Sequence, residues 1–160
     1  MSKNYFISFL LMGLVFSGCT NQCHELTEQR KSQIEKQILA EWEKISIAIE
    51  NSDSEEYATF ISPDLILMSS GGSVFYSKTA YIDSVRNWFS TRKNTEIQQE
   101  KVIVTVIAED IVLLDQESVF QVSYKDGNIQ HVHHAVSLVF KKGPSAWMII
   151  HGHESFSDIE

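Results

Sequence analysis

Ile129-Gln130-His131-Val132-His133-His134-Ala135-Val136-Ser137-Leu138-Val139-Phe140 alternates residue by residue between two sets of side chains. Val132, His134, Val136, Leu138 and Phe140 form the apolar set, and His131, His133, Ala135, Ser137 and Val139 form the mixed one. A period of two is the mark of a half-buried strand, because successive side chains point to opposite faces of a sheet. Three further β-branched runs surround this one: Ile97 to Ala108, Ile111 to Tyr124 and Trp147 to His153. Glu109-Asp110, Lys125-Asp126-Gly127-Asn128 and Lys142-Gly143-Pro144-Ser145 separate them, each short enough to force an antiparallel hairpin. The same alternation points Val112, Leu114, Ser118, Phe120 and Val122 inward, with Asp115, Glu117, Gln121 and Ser123 outward. On the last strand it points Met148 and Ile150 inward and leaves Trp147 and Ile149 outside.

Upstream of these strands the period changes. Ile34, Ile38, Trp42, Ile45 and Ile49 recur at helical spacing within a stretch from about Glu25 to Asn51. Asp53 with Glu56 three residues later reads as a capping box opening a short second helix through Tyr57 and Phe60, which Ser62-Pro63-Asp64 stops. Leu65 to Met68, the turn Gly71-Gly72 and Val74-Phe75-Tyr76 predict a short hairpin. Ser77 then caps a third helix whose apolar face is Tyr81, Val85, Trp88 and Phe89. Helices first and a meander afterwards define an α+β fold, three N-terminal helices packed on a curved antiparallel sheet.

The chain has 160 residues, 43% of them hydrophobic, which is enough for one core. Its formal net charge of −8, without a compensating Lys/Arg stripe, argues against nucleic acid as a partner. No glycine-rich phosphate loop, nucleophile elbow, CxxC pair or H-E-x-x-H occurs, so nucleotide, serine-hydrolase and zincin chemistries have no support and no cofactor is implied.

Met1 to Gly18 has the layout of a secretory signal: Lys3, an apolar stretch from Tyr5 to Phe16, then Ser17-Gly18. Phe16-Ser17-Gly18-Cys19 resembles the bacterial lipobox, with Phe16 where Leu or Val is usual; the resemblance implies that Cys19 becomes the lipidated first residue. An ordinary cleaved signal with a nearby cysteine is the alternative. The expected organisation is a lipoprotein signal at 1–18, a lipidated tether at 19–29, a folded domain at 30–156 and a tail at 157–160. The expected location is the cell envelope, on a periplasm-facing anchor. Cys23 falls in the tether and cannot form an internal disulfide once Cys19 is lipidated.

From about Ser32 to Ser155 the chain resembles the nuclear transport factor 2-like (NTF2-like, SnoaL-like) superfamily. The segment Phe60 to Tyr76 resembles the superfamily's early part. The ending Trp147-Met148-Ile149-Ile150-His151-Gly152-His153-Glu154-Ser155 resembles the association (hub) domain of calcium/calmodulin-dependent protein kinase II. The resemblance implies a cone-shaped fold with a pocket between the concave sheet face and the helices, and commonly a dimer through the other face. The hub's pocket arginines correspond to Phe120, Leu138 and Glu154 here, none of them basic, so an apolar pocket with an acidic mouth is expected.

Candidate ligand contacts are therefore Tyr57, Tyr81, Trp88, Ser118, Phe120, His134, Leu138 and Glu154. His134 is the one titratable side chain on the inward face of its strand, and a buried imidazole beside hydroxyls can serve as acid or base, touch a ligand, or be a core histidine. The outward His131, His133, His151 and His153 with Glu117 have metal-ligand chemistry, but the favoured reading makes that face a homodimer interface of Val139, Trp147, Ile149, His151 and His153, with no metal site assigned. The leading functional expectation is a lipid-anchored, homodimeric domain binding a small apolar or aromatic ligand. The alternatives are a SnoaL, dehydratase or ketosteroid-isomerase-like enzyme using His134, and a structural assembly domain.

Overall fold

The computed structural model describes residues 26–70 and 72–159. The signal, Cys19, Cys23 and Gly71 lie outside the described residues. The element order is α1 (Glu28–Glu50), α2 (Ser54–Thr59), β1 (Ile61–Ser69), β2 (Ser73–Phe75), α3 (Lys78–Thr91), β3 (Arg92–Ala108), β4 (Ile111–Tyr124), β5 (Ile129–Lys142) and β6 (Trp147–Asp158). The folded part thus starts two residues before position 30, and Ser157 and Asp158 belong to β6, paired with His133 and Val132, rather than to a tail.

Local chemistry sets the helix starts. Asp53 accepts hydrogen bonds from the Glu55 and Glu56 amides and opens α2; Ser77 accepts from the Ala80 amide and opens α3. Ile34, Ile38, Trp42, Ile45, Ala48 and Ile49 bury one face of α1. On α3 the buried face is Tyr81, Ile82, Val85 and Phe89, leaving Trp88 half-buried at its edge.

The six strands form one curved sheet in the order β2-β1-β6-β5-β4-β3. β3 through β6 are the antiparallel meander, but β1 runs parallel to β6, so the sheet is mixed rather than antiparallel throughout. On β4 and β5 the burial alternates strictly, with Val112, Leu114, Gln116, Ser118, Phe120 and Val122 on the same inward face as Val132, His134, Val136, Leu138 and Phe140.

β6 departs from the alternation read from the sequence. Val139 pairs with His151 and Phe140 with Ile149, so Ile150 is an extra residue in the ladder, a bulge that exchanges the two faces. Before it, Trp147 (5% exposed) and Ile149 (0%) turn into the core, and Met148 and Ile150 turn away from it, the reverse of the expectation. Trp147 and Ile149 are therefore unavailable to an outward interface, whereas Val139, His151 and His153 do lie on the outward face.

Past the bulge, Gly152, Glu154 and Phe156 face inward, opposite Leu138, Val136 and His134. Gly152 is where β1 and β5 close over β6: a Cβ there would lie 2.8 Å from Leu138 Cδ2 and 3.0 Å from Leu67 Cδ1. Gly152→Val is expected to destabilise the fold by about 1–3 kcal/mol through overpacking, measured by denaturant unfolding at neutral pH; undiminished stability would show that the two leucines can move aside.

Candidate functional site

A cleft of about 350 Å3 opens between α3 and the far end of β6. Tyr81, Val85 and Trp88 of α3 form one wall, Glu154, Phe156 and Asp158 the other. The β1–β2 hairpin closes one side through Ser69, Ser73 and Phe75, and Arg92, Tyr124, Gln130 and Val132 close the opposite side. Behind it lies an inner chamber of only about 40 Å3, lined by residues including Trp42, Tyr57, Phe120, His134 and Leu138, and sharing Tyr81, Val85, Trp88, Glu154 and Phe156 with the cleft. The cone is nearly filled at its depth and roomy at its mouth.

Seven of the eight candidate contacts named from the sequence line this combined space; Ser118 does not, although it stands directly opposite His134 on β4 and is buried at 1% exposure. Its Oγ, both polar atoms of the Gln116 amide and His134 Nδ1 have no hydrogen-bond partner. Buried polar atoms are ordinarily paired, so this run of orphans across β4 and β5 marks an interior able to accept water or ligand groups.

His134 is clamped between two rings. Phe120 lies 4.9 Å away on β4 and Phe156 4.7 Å away on β6, centroid to centroid, the latter stacked at 25°. Burial, helped by the nearby charges of Arg92 and His133, lowers its pKa to about 4. The ring is thus neutral at physiological pH, a hydrogen-bonding group in an aromatic wall.

Three other side chains form a continuous acid-base chain. The hydroxyls of Tyr57 and Tyr81 are 3.0 Å apart, and Tyr81 donates to Glu154 Oε2 at 3.4 Å. Burial raises both phenols and the Glu154 carboxyl above their ordinary ranges, with the hydrogen bonds from Ser69 and Tyr81 opposing the shift at Glu154. Glu154 therefore stands where the inner chamber meets the cleft, bonded to α3, and with Asp158 it puts carboxylates in the cleft wall.

Phe120, Leu138 and Glu154 bring no cation to the pocket, but Arg92, from another part of the chain, brings one to the wall of the cleft. It sits where α3 passes directly into β3, is 3% exposed, and lays its guanidinium over the Trp88 ring with Cζ 2.9 Å from the centroid. Burial lowers its pKa to about 9. Phe156, Tyr124, Gln130 and Asp158 were likewise not singled out from the sequence; Tyr124 donates to Gln130 Oε1 at 2.9 Å, and Gln130 Nε2 to Asp158 at 2.7 Å.

The outward histidines do not converge. His133 stands opposite Ser157, and His153 stands opposite Ser137, four residues further along β5, roughly 13 Å at strand rise. His133 Nε2 instead meets Glu117 at 2.9 Å and His131 Nε2 meets Gln121 at 3.3 Å. Among the described residues no group of three or more His, Cys, Asp or Glu is placed to hold a metal ion.

The clamped imidazole makes a pH prediction. In the unfolded chain His134 takes up a proton near pH 6.5, whereas in the fold it does so only near pH 4, so stability is lost as pH falls through that window. The loss amounts to on the order of 3 kcal/mol from this group alone. His134→Phe, which keeps the ring stack, is expected to remove it; unfolding free energies of both proteins at pH 7 and 4.5 give the comparison, and an identical pH dependence would contradict the assigned neutral state.

Comparison with known proteins gives these features a family. Residues 36–159 match the model of the SnoaL-like domain. No curated protein sequence matches the chain at a significant level. Among solved structures, a proposed scytalone dehydratase from Novosphingobium aromaticivorans superposes with a TM-score of 0.73 at 10% identity, covering 84% of this chain and 89% of that one. A proposed dehydratase of the NTF2-like family from Streptomyces avermitilis gives 0.69 at 14% identity over 78% and 96%. A proposed calcium/calmodulin-dependent protein kinase II association domain from Xanthomonas campestris gives 0.64 at 18% identity over 75% and 85%. With the family match spanning most of the chain, and an NTF2-like fold of helices on a curved sheet shared with these structures, the protein belongs to the SnoaL-like family.

Proposed function

We propose that this protein is a small-molecule-binding lipoprotein of the cell envelope, in which a SnoaL-like domain holds a small planar organic ligand and the segment from Cys19 tethers it to a periplasm-facing membrane. The observation that carries the binding reading is the cleft itself. Its volume of about 350 Å3 falls at the small end of the range of ligand sites. Trp88, Tyr81, Phe75 and Phe156 supply flat apolar walls, and a few polar groups converge between them. A second copy is assigned to the outward sheet face, where Val139, His151 and His153 lie and Ile103 and Ile107 are 50% and 60% exposed.

The dehydratase names of two structural neighbours and the Tyr57–Tyr81–Glu154 chain favour one second reading, acid-base catalysis on the bound molecule. In that reading Glu154, its carboxyl raised by burial, accepts the proton and the phenols donate to developing negative charge. His134, with its pKa near 4, is too weak a base at neutral pH to lead, and it orients the ligand instead.

Ser84 is exposed on α3 at the cleft rim, so Ser84→Trp fills the entrance without disturbing the core. Titration with 1-naphthol, a neutral planar probe, is expected to change the intrinsic tryptophan fluorescence saturably, and Ser84→Trp to weaken the probe at least about tenfold, some 1.4 kcal/mol; calorimetry confirms the affinity independently of the added indole. Equal affinity in the two proteins would remove the cleft from the account. For the tether, Cys19→Ser is expected to abolish incorporation of an alkyne-labelled fatty acid in a bacterial host and to move the protein from the membrane to the soluble fraction; labelling that persists would exclude Cys19 as the lipidated residue.

A further inference from the structure

Building on the small-molecule reading above, we infer that the cleft contains a carboxylate subsite anchored by Arg92, and that the occupant is a small planar acid held between α3 and β6.

The argument starts from a cation that the protein leaves unbalanced. Arg92 is 3% exposed, yet the one hydrogen bond its side chain makes among the described residues runs from Nη1 to the neutral Thr95 Oγ1 at 3.0 Å. Its Nε is buried without a partner, and among the described residues no carboxylate lies within ion-pair distance of the guanidinium. The two carboxylates of the cleft are engaged elsewhere: Glu154 receives the Tyr81 hydroxyl and Asp158 receives the Gln130 amide. Removing a charge from water without a counterion is costly, and a side chain that serves only to pack would be replaced by an apolar one at a gain in stability. A site that keeps such a charge keeps it for something that arrives.

Geometry narrows what arrives. The Trp88 indole lies over the guanidinium, with Phe89 5.8 Å from Cζ, and Arg92 forms part of the cleft wall, so what it offers an occupant there is its fork of N–H donors. A carboxylate matches that fork, two parallel charge-assisted bonds in one plane. Arg92 and the flat side chains Trp88, Tyr81 and Phe156 line the same cleft, so an acid bound at the guanidinium edge has its body between aromatic walls. The pocket is then bipolar. The cation lies at the α3–β3 junction, and the Tyr57–Tyr81–Glu154 chain lies toward β6, where an anion would be repelled and a hydroxyl or carbonyl accommodated.

The test uses the full chain purified in dodecyl maltoside, titrated by calorimetry with trans-cinnamate and with cinnamamide, its neutral near-isostere. Cinnamate is expected to bind at least about tenfold tighter than the amide. Arg92→Met is expected to erase that preference, and Arg92→Lys, which keeps the charge and loses the fork, to retain only part of it. The ligand-free Tm of Arg92→Met should equal or exceed that of the wild type, an outcome a purely structural arginine does not give. Equal affinity of the wild type for the two probes overturns the carboxylate subsite and leaves the cleft a small-molecule site. Binding of neither probe overturns both readings. A preference that survives in Arg92→Met moves the anion away from Arg92, and a lowered ligand-free Tm makes the residue part of the scaffold.

Discussion

The placement of β6 between β1 and β5 is the constraint on which the other features turn. This strand pairs in opposite senses with its two neighbours, parallel to β1 and antiparallel to β5, and the Ile150 bulge falls within it. The extra residue lets one strand do two jobs. Its first part turns Trp147 and Ile149 down onto α1 and the core, and its second part turns Gly152, Glu154 and Phe156 into the cone. Trp147 Nε1 still reaches a partner, Gln37 Oε1 at 3.3 Å, so the indole is buried without leaving its donor empty. Without the bulge, Glu154 and Phe156 on one side or Trp147 and Ile149 on the other would face solvent.

The interior that results is graded rather than uniform. Beneath α1 it is packed with apolar side chains, Ile34, Ile38, Ile45, Leu114 and Phe140 among them, all nearly fully buried. Toward α3 the packing gives way to rings, and polar groups enter between them: the neutral His134 in its phenyl sandwich, the phenol pair, the guanidinium on Trp88. Each ring does more than exclude water. Phe120 and Phe156 hold His134 in the low-dielectric surroundings that keep it neutral, and Trp88 offers its π face to a cation that has lost its hydration. A mixed wall of this kind orients a flat molecule better than a purely apolar one, because hydrogen-bonding groups sit at set places around its edge.

How much of this could be read beforehand depends on whether the cause was local. The caps at Asp53 and Ser77 are local chemistry and are legible, as is the inward set of β4 and β5, where an unbroken ladder preserves the period of two. The reversal of Trp147 and Ile149 was hidden because the Ile149-Ile150 pair offers no residue type that announces a bulge; only its pairing with β5 shows it. The parallel partnership of β1 with β6 joins residues 85 to 88 positions apart and has no signature in either segment. Arg92 was overlooked because a cation at a helix C-terminus reads as a solvated complement to the helix dipole. The available signal was its i, i+4 spacing from Trp88, which puts a cation and a ring on one helical face.

The charges explain why a protein with net charge −8 conceals a positive group where its ligand would sit. A surface arginine would be screened by salt and surrounded by the chain's own carboxylates, giving an anion little reason to choose that point. Drawn behind Trp88, and with no carboxylate among the described residues at ion-pair distance, the same guanidinium acts through a medium that screens it far less, so its field is both stronger and confined to the cleft. The acidic exterior then disfavours anions everywhere else. Selectivity for a flat acid over other small apolar molecules would arise from that contrast between surface and interior, and would need no second cation in the pocket.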